Sequence, residues 1–309
     1  MIPILFNPSS GGGKALKYKT KIENLFLKNS IKYKLYISKS EKHLRELVKE
    51  VAVKDEVELI AVAGGDSTFT IVANELIGRG FNKPMAMIGI GSSNDIPKEF
   101  NLETIEKTVS AIKRKKIKII DLGLIESSEK NKTYFIGQAN IGLGAFVNRA
   151  VEKLNSEKKR LPQMIQGVYS IIQNFKNKEI PINLYIEFDS KKRDISEWTI
   201  ALFSNIRYWA TGKLVLPDAM TDDGFLDGFF LKKTSFPGLI KLGILASKGK
   251  HTKDRRVLIE KAREYTIKSE TPFFIQVDGD IIGGWKNPKI FNQVKIKNVP
   301  KKLKIIIGS

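Results

Sequence analysis

Between Ile2 and Asp121 the sequence alternates two kinds of apolar pattern, and no other feature constrains its fold as tightly. Ile2–Phe6 is an apolar run closed by Asn7-Pro8. Lys14–Lys28 has helical spacing, with Ile22, Leu25 and Phe26 apolar. Tyr33–Ser38 alternates as a strand does. His43–Val53 returns to helical spacing, with Leu44, Leu47, Val48 and Val51 on one stripe. Leu59–Ala63 is a continuous run ending at Gly64-Gly65. Thr68–Ile77 is helical again, and Met85–Ile90 is a run ending at Gly91. Strands separated by helices of this length predict right-handed βαβ units and a parallel sheet. Runs without alternation fit strands covered on both faces.

After Asp121 the pattern changes. Short runs rich in Ile, Phe, Tyr, Val and Thr take over, separated by Gly, Asn and Asp: Tyr134–Ala139, Ile182–Phe188, Trp198–Ser204, Gly228–Leu231, Thr266–Ser269, Phe273–Val277, Val294–Ile296 and Leu303–Ile307. They predict a mostly antiparallel second domain, with helices near Gln163–Asn174 and Pro237–Ser247. The basic cluster Lys113–Lys118 near the change reads as a solvated helix end. The boundaries expected are 1–124 for an α/β domain, with the strand at 301–309 as a candidate to complete it, and 125–300 for a β-rich domain.

Composition removes several chemistries. The chain has no cysteine, so disulfides, thiolate catalysis and cysteine metal sites are excluded. It has two histidines, His43 and His251, which excludes a multi-histidine metal centre and favours a carboxylate as any general base. No apolar run approaches the ~18 residues of a membrane span. The first residues lack the basic region of a signal peptide, so a cytoplasmic location is expected. The net charge of +20, from 53 Lys and Arg against 33 Asp and Glu, attracts polyanions such as nucleotides and anionic lipid headgroups. Lysine-rich composition alone accounts for it equally well. Nucleic-acid binding has no supporting motif.

Three glycine-rich turns follow strands. Gly64-Gly65-Asp66-Ser67-Thr68 joins a buried strand to a helix, where glycines let backbone approach a phosphate and the helix end offers unpaired N–H groups. Gly89-Ile90-Gly91-Ser92-Ser93-Asn94-Asp95 follows the next strand. Asn7-Pro8-Ser9-Ser10-Gly11-Gly12-Gly13-Lys14 follows the first, with Lys14 placed to reach a phosphate. Alone, each is commonest as plain structure. Neighbouring parallel strands bring such turns together where ligands bind in open α/β sheets. None is a Walker or a Rossmann motif.

Read in order, Asn7–Ala15, Gly64–Thr68 and Gly91–Asp95 resemble the catalytic domain shared by diacylglycerol, sphingosine and ceramide kinases and their soluble bacterial relatives. The resemblance continues through Asn140–Ala145, Gly212–Asp227, Gly249-Lys250-His251 and Val277-Asp278-Gly279-Asp280, across nearly the whole chain. It implies a first domain like that of NAD kinase and phosphofructokinase and a β-sandwich-like second domain. It also implies an ATP- and Mg²⁺-dependent lipid kinase acting on a diacylglycerol-like hydroxyl at a membrane surface. The first domain would bind nucleotide in the cleft and the second the lipid substrate. Location would be cytoplasmic and peripheral at the inner membrane face. Oligomeric state stays open, a homodimer included.

By position the resemblance assigns Asn7, Pro8, Ser9, Ser10, Gly11, Lys14, Ser38, Gly64, Gly65, Asp66, Ser67, Thr68, Ser93, Asn94 and Asp95 to the nucleotide. It makes Asp278 the base, with Asp280 where relatives usually carry Glu. It places a structural Mg²⁺ on the Asp223 carboxylate and the carbonyls of Met220 and Phe225. Without the resemblance, Asp222-Asp223-Gly224 and Asp278-Gly279-Asp280 read as ordinary turns and His251 as a surface or packing histidine. The departures are Ser67 for a usual glycine, Thr70-Ile71 for a usual Asn-Glu, and Ser92-Ser93 for a usual Thr-Gly. They keep open a catalytically impaired lipid- or nucleotide-binding relative, and a sugar or NAD kinase sharing the first domain.

Overall fold

The computed structural model describes residues 1–127, 132–156, 169, 171–173 and 182–309. The chain forms two compact units. The first comprises Met1–Leu122, Tyr208–Gly212 and Pro300–Ser309, the second Gly123–Arg207 and Lys213–Val299. Strands and helices are numbered below in chain order.

In the first unit β1 (Ile2–Phe6), β2 (Tyr33–Ile37), β3 (Ile60–Gly64) and β4 (Met85–Gly89) alternate with α1 (Lys19–Lys28), α2 (Glu41–Ala52) and α3 (Asp66–Gly78). Two further helices, α4 (Asp95–Glu99) and α5 (Ile105–Arg114), precede β5 (Ile117–Ser127), along which the chain leaves the unit. The strands lie in the order β2, β1, β3, β4, all parallel, and the end of β17 (Ile290–Ile306) adds alongside β4 through Ile305 and Met85. All of β3 is buried, as its unbroken apolar run requires. Ser40 and Thr104 cap α2 and α5, each accepting a backbone N–H from three residues on. Lys115 ends α5 in the left-handed region, so the Lys113–Lys118 cluster straddles a helix end and the start of β5.

The helix expected over Lys14–Lys28 is split. Lys14–Tyr18 is a 3₁₀ turn and α1 begins at Lys19. Gly11, Gly12 and Gly13 all have positive φ, and the chain leaves them in a tight coil that buries Ala15.

The second unit contains β6 (Lys132–Phe135), β7 (Gln138–Gly142), β8 (Ile182–Phe188), β9 (Lys192–Ser204), β11 (Lys213–Leu214), β12 (Leu226–Lys232), β13 (Val257–Ala262), β14 (Glu264–Phe274), β15 (Gln276–Val277), β16 (Asp280–Ile281) and most of β17; β10 (Tyr208–Trp209) belongs to the first unit. The pairings of β6 with β5 and among β7, β8, β9, β12, β13, β14, β15, β16 and β17 are antiparallel. The first half of β9 pairs with β8, and its second half lies between β7 and β12. Inside, Phe188, Phe203, Phe230 and Tyr265 meet edge to face, with ring centroids 5.0 Å apart for Phe203 and Tyr265. The Tyr265 hydroxyl donates toward the carbonyls of Leu226 at 2.8 Å and Glu260 at 2.7 Å, which lets a buried phenol sit there. Helix α6 (Leu143–Ser156) follows β7, and α7 (Phe236–Ser247) occupies the helix expected at Pro237–Ser247. The helix expected at Gln163–Asn174 lies outside the described residues apart from Tyr169 and Ile171–Gln173, which are helical.

Three strand expectations need correction. Tyr134–Ala139 is two strands, because the Ile136 and Gly137 amides turn toward the Asp278 side chain instead of a ladder. Thr266–Ser269 and Phe273–Val277 are joined in β14 through an irregularity that holds Pro272, with β15 following after a break at Ile275. Val294–Ile296 and Leu303–Ile307 belong to one long β17, kinked where Lys301 takes a φ of 50° after Pro300. Among the described residues no helix is long and apolar enough to cross a membrane.

Candidate active site

Because β3 pairs in parallel with both β1 and β4, the turns after these strands share one edge of the first unit's sheet. They touch with no room for side chains. A Cβ on Gly91 would stand 2.5 Å from the Gly65 Cα, and one on Gly64 would stand 2.5 Å from the Thr68 Cβ. Gly11, at φ +61°, would place a Cβ 3.1 Å from the Ile90 carbonyl. The Asn7 Nδ2 donates to Thr68 Oγ1 at 2.9 Å, and Ser10 Oγ lies 3.4 Å from the same oxygen. Asn7, Ser10 and Thr68 thus form one polar knot at the first turn of α3, where backbone N–H groups have no helical partner. Pro8 and Ser9 carry the chain round it, with the Ser9 N–H donating to Asn7 Oδ1 at 3.1 Å. Lys14 is exposed at the start of the 3₁₀ turn. Ser38 is buried, and its hydroxyl donates to the Phe6 carbonyl at 3.2 Å.

Three of the polar side chains expected at a nucleotide are engaged in holding the loops. The Asp66 carboxylate accepts the Asp95 and Ile96 N–H groups at 3.1 and 3.2 Å, so it caps α4. Asn94, left-handed at φ 55°, accepts the Gly91 N–H at 2.9 Å and donates to the Gly91 carbonyl at 3.2 Å. Asp95 is 3% exposed and accepts the Gly212 N–H. Burial pushes its carboxyl up, opposed by the Gly212 and Thr211 N–H groups and by Lys98. Lys98 donates to the Gly212 carbonyl at 2.6 Å and stands 4.4 Å from the Tyr208 ring centre. Asp95 and Lys98 therefore clamp the segment Tyr208–Gly212 onto this unit, a role the sequence order hides. Ser93 is half-buried in the turn before Asn94. Ser67 lies within the first turn of α3 and is not among the residues with positive φ. The backbone there does not call for glycine.

In the second unit Asp278 is 2% exposed, with φ 44°. Its Oδ2 accepts the Ile136 N–H at 2.8 Å, and its Oδ1 accepts those of Gly137 and Gln138 at 3.0 and 2.7 Å. The loop so gathered is held from its other side by the Ser204 hydroxyl and the Asn205 amide, which donate to the Gly137 and Ile136 carbonyls. Asp280 is exposed at the start of β16. Helix α6 brings a face to this hairpin that sequence reading missed. Asn148 Nδ2 donates to the Gly279 carbonyl at 2.7 Å, and Arg149 Nε to that of Trp285 at 3.1 Å. One turn on, burial and then the nearby Asp280 push the Glu152 carboxyl up. The spacing of Asn148, Arg149 and Glu152 was visible, but nothing in the sequence tied it to residue 280.

The expected metal turn lies within this unit. Asp223 Oδ1 accepts the Phe225 N–H at 3.1 Å, and Oδ2 pairs with Lys261 Nζ at 2.7 Å. Lys261 also stands 3.7 Å from Asp227, whose other carboxylate oxygen is buried without a hydrogen-bond partner. Burial pushes the Asp227 carboxyl up to about 6. The Phe225 carbonyl accepts Asn298 Nδ2 at 3.0 Å, and Met220 is largely exposed. Two carboxylates against one ammonium, with an orphaned buried oxygen, leave an excess of negative charge in a set of hard oxygen donors. Hard oxygen donors of this kind are what Mg²⁺ takes, and it would have to displace Lys261 from Asp223, since among the described residues no three acidic or histidine side chains converge on one point. His251 is buried, with Nε2 2.8 Å from the Val215 carbonyl and its ring against Phe229, so it packs.

Comparison with known proteins shows the family of the chain. Residues 2–125 match the model of the diacylglycerol kinase catalytic domain, and residues 137–307 match that of the YegS C-terminal NAD kinase beta sandwich-like domain. The chain belongs to the diacylglycerol kinase family. It is an enzyme of the lipid kinase class. A diacylglycerol kinase of Bacillus subtilis is 24% identical over 289 residues, covering 91% of this chain and 89% of that one. One of Staphylococcus haemolyticus is 27% identical over 298 residues, covering 94% and 85%. The crystal structure of a diacylglycerol kinase from Bacillus anthracis has the same fold, with a TM-score of 0.69 at 17% identity over 99% of this chain and 96% of that one. The expected fold class holds: a parallel α/β first unit and a β-sandwich-like second.

Proposed function

We propose that this kinase transfers the γ-phosphate of ATP, as its Mg²⁺ complex, to the hydroxyl of a diacylglycerol-like lipid at a membrane surface. One observation carries the nucleotide part: Gly11, Gly65 and Gly91 sit on three turns that close on each other at the N-terminus of α3. Bare backbone and unpaired N–H groups at a helix start are what a polyphosphate needs. In this reading Asn7, Ser10 and Thr68 hold the loop and offer hydroxyl and amide groups to phosphate oxygens. Pro8, Ser9, Lys14, Ser38, Ser67 and Ser93 lie around it. Asp66, Asn94 and Asp95 fix the loop's shape. The lipid part is supported by the curated relatives, which are named diacylglycerol kinases.

Phosphoryl transfer asks little covalent help of a protein and much positioning. The second unit is assigned the lipid and the proton. Asp278 is proposed as the base, held by its three N–H donors, with Asp280 beside it and Glu152 as a third carboxylate. Mg²⁺ would sit on Asp223 and the carbonyls of Met220 and Phe225, where it would neutralise the turn and stiffen it. Ser67's ordinary helical backbone favours an active enzyme over an impaired relative.

The deciding experiment supplies labelled ATP, Mg²⁺ and a total lipid extract, and identifies the labelled product. Label in a phosphatidic acid-like lipid supports the reading. ATP binding without any labelled lipid would establish the impaired relative instead.

A further inference from the structure

Helix α7, Phe236–Ser247, has only one buried side chain, Leu242, although its sequence carries a single charge, Lys241. A helix that is apolar on every face belongs in a core. This one lies on the second unit's surface against β11 and the 3₁₀ turn His251–Lys253. It is firmly seated. The Ser235 hydroxyl caps it by accepting the Gly238 N–H at 3.3 Å, and a Cβ on Gly238 would stand 2.2 Å from Thr234 Oγ1. At one hundred degrees per residue, Phe236, Ile240 and Ile244 form a stripe on the side away from Leu242. Ile240 and Ile244 are each 53% exposed, and Leu214 on the neighbouring β11 is 43% exposed. Around this stripe stand Lys241, Lys248, Lys250 and Lys253, all exposed.

We infer that α7 is a docking helix for an anionic bilayer surface. It would lie flat, with Phe236, Ile240 and Ile244 among the acyl chains and the lysines among the headgroups. An apolar stripe rimmed by cations matches the chemistry of that boundary, which is apolar beneath and negative above. The net charge of +20 adds long-range attraction of the same sign. A protein partner would be expected to meet a stripe edged by both charge signs, whereas here the neighbouring Asp254 is paired with Arg256 and the four lysines leave the rim basic on balance. The inference rests on the lipid kinase reading for its purpose. Its test does not, since vesicle binding is measured without turnover.

The experiment compares the full chain with an Ile240→Asn/Ile244→Asn variant by co-sedimentation with phosphatidylglycerol–phosphatidylcholine vesicles and with phosphatidylcholine vesicles alone. The wild type should pellet with the anionic vesicles, and less so as salt rises. The double variant should bind at least about tenfold more weakly, with an unchanged Tm, because both side chains point outward. The chain has no cysteine, so Ile244→Cys can carry a single polarity-sensitive dye, whose emission should shift blue on the anionic vesicles. Equal pelleting of wild type and double variant would overturn the inference. So would a dye that stays in water, or a vesicle-independent dimer that the double variant abolishes. Phosphorylation of a water-soluble short-chain diacylglycerol, measured alongside, tests the kinase reading separately; the double variant should retain it.

Discussion

At the scale of single residues, Ser67 and Asp278 exchange the weights the sequence gives them. Ser67 departs from the family's glycine, yet it occupies an ordinary helical position in α3. Ser67→Gly should therefore leave ATP affinity little changed and lower stability by about 0.5 kcal/mol, the difference between these residues inside a helix. Isothermal titration and thermal melts measure both. Asp278 matches the family's base, and its carboxylate also gathers three backbone N–H groups of another segment. In Asp278→Asn an amide NH₂ meets one of those donors, so the variant should lose about 1–3 kcal/mol of stability as well as activity. Asp280→Asn and Glu152→Gln leave that loop intact. A fall of about 10²–10⁴-fold in kcat with Tm unchanged, in either of them, would move the base to that side chain. Motifs made these residues visible. Their hydrogen bonds were not, because Ile136 and Asp278 come together only through pairing across the sheet.

At the scale of elements, the turns did as much as the strands to make the fold legible. Apolar runs at Ile2–Phe6, closed by Asn-Pro, and at Met85–Ile90, closed by Gly91, located strands to within a residue, the second strand ending at Gly89. Helix α6 and strand β5 went unread because their contacts are supplied by residues far along the chain. The short helix α4 shows the same dependence: Asp66 caps it and Asp95 ties it to Gly212. Burial raises the Asp95 carboxyl above its ordinary 3.8. Its contribution to stability is then fully present below that value and is lost as pH rises through the folded one. The Tm of wild type relative to Asp95→Asn should grow as pH falls from neutral toward 4, read by melts across that range. At the turn before β12, Mg²⁺ should raise the Tm of the wild type and not of Asp223→Ala, since a ligand bound to the folded state alone stabilises it by about 2.7 kcal/mol at a hundred times its Kd. An equal response in both would remove the metal from that turn.

At the scale of the whole molecule, the sequence announced two compositional halves and offered 301–309 as a strand to complete the first, but gave no sign that Tyr208–Gly212 also belongs there. The chain leaves the first unit along β5, lends it Tyr208–Gly212 in passing, and returns at Pro300. Leu303, Ile305 and Ile306 are buried there, and each such side chain contributes about 1.5–3 kcal/mol. That sum is comparable with the entire stability of a typical domain, about 5–15 kcal/mol. A chain ending at Pro300 should accordingly fail to give a protease-resistant first unit, as limited proteolysis would show. Time enters through the same strand. A ribosome releases β4 long before Ile305 exists to lie beside Met85, so through most of synthesis β4 waits with one edge bare. Bare edges invite other strands. A cell making this protein would therefore lean on whatever shields nascent chains, and slower translation of the second half would lengthen the exposure.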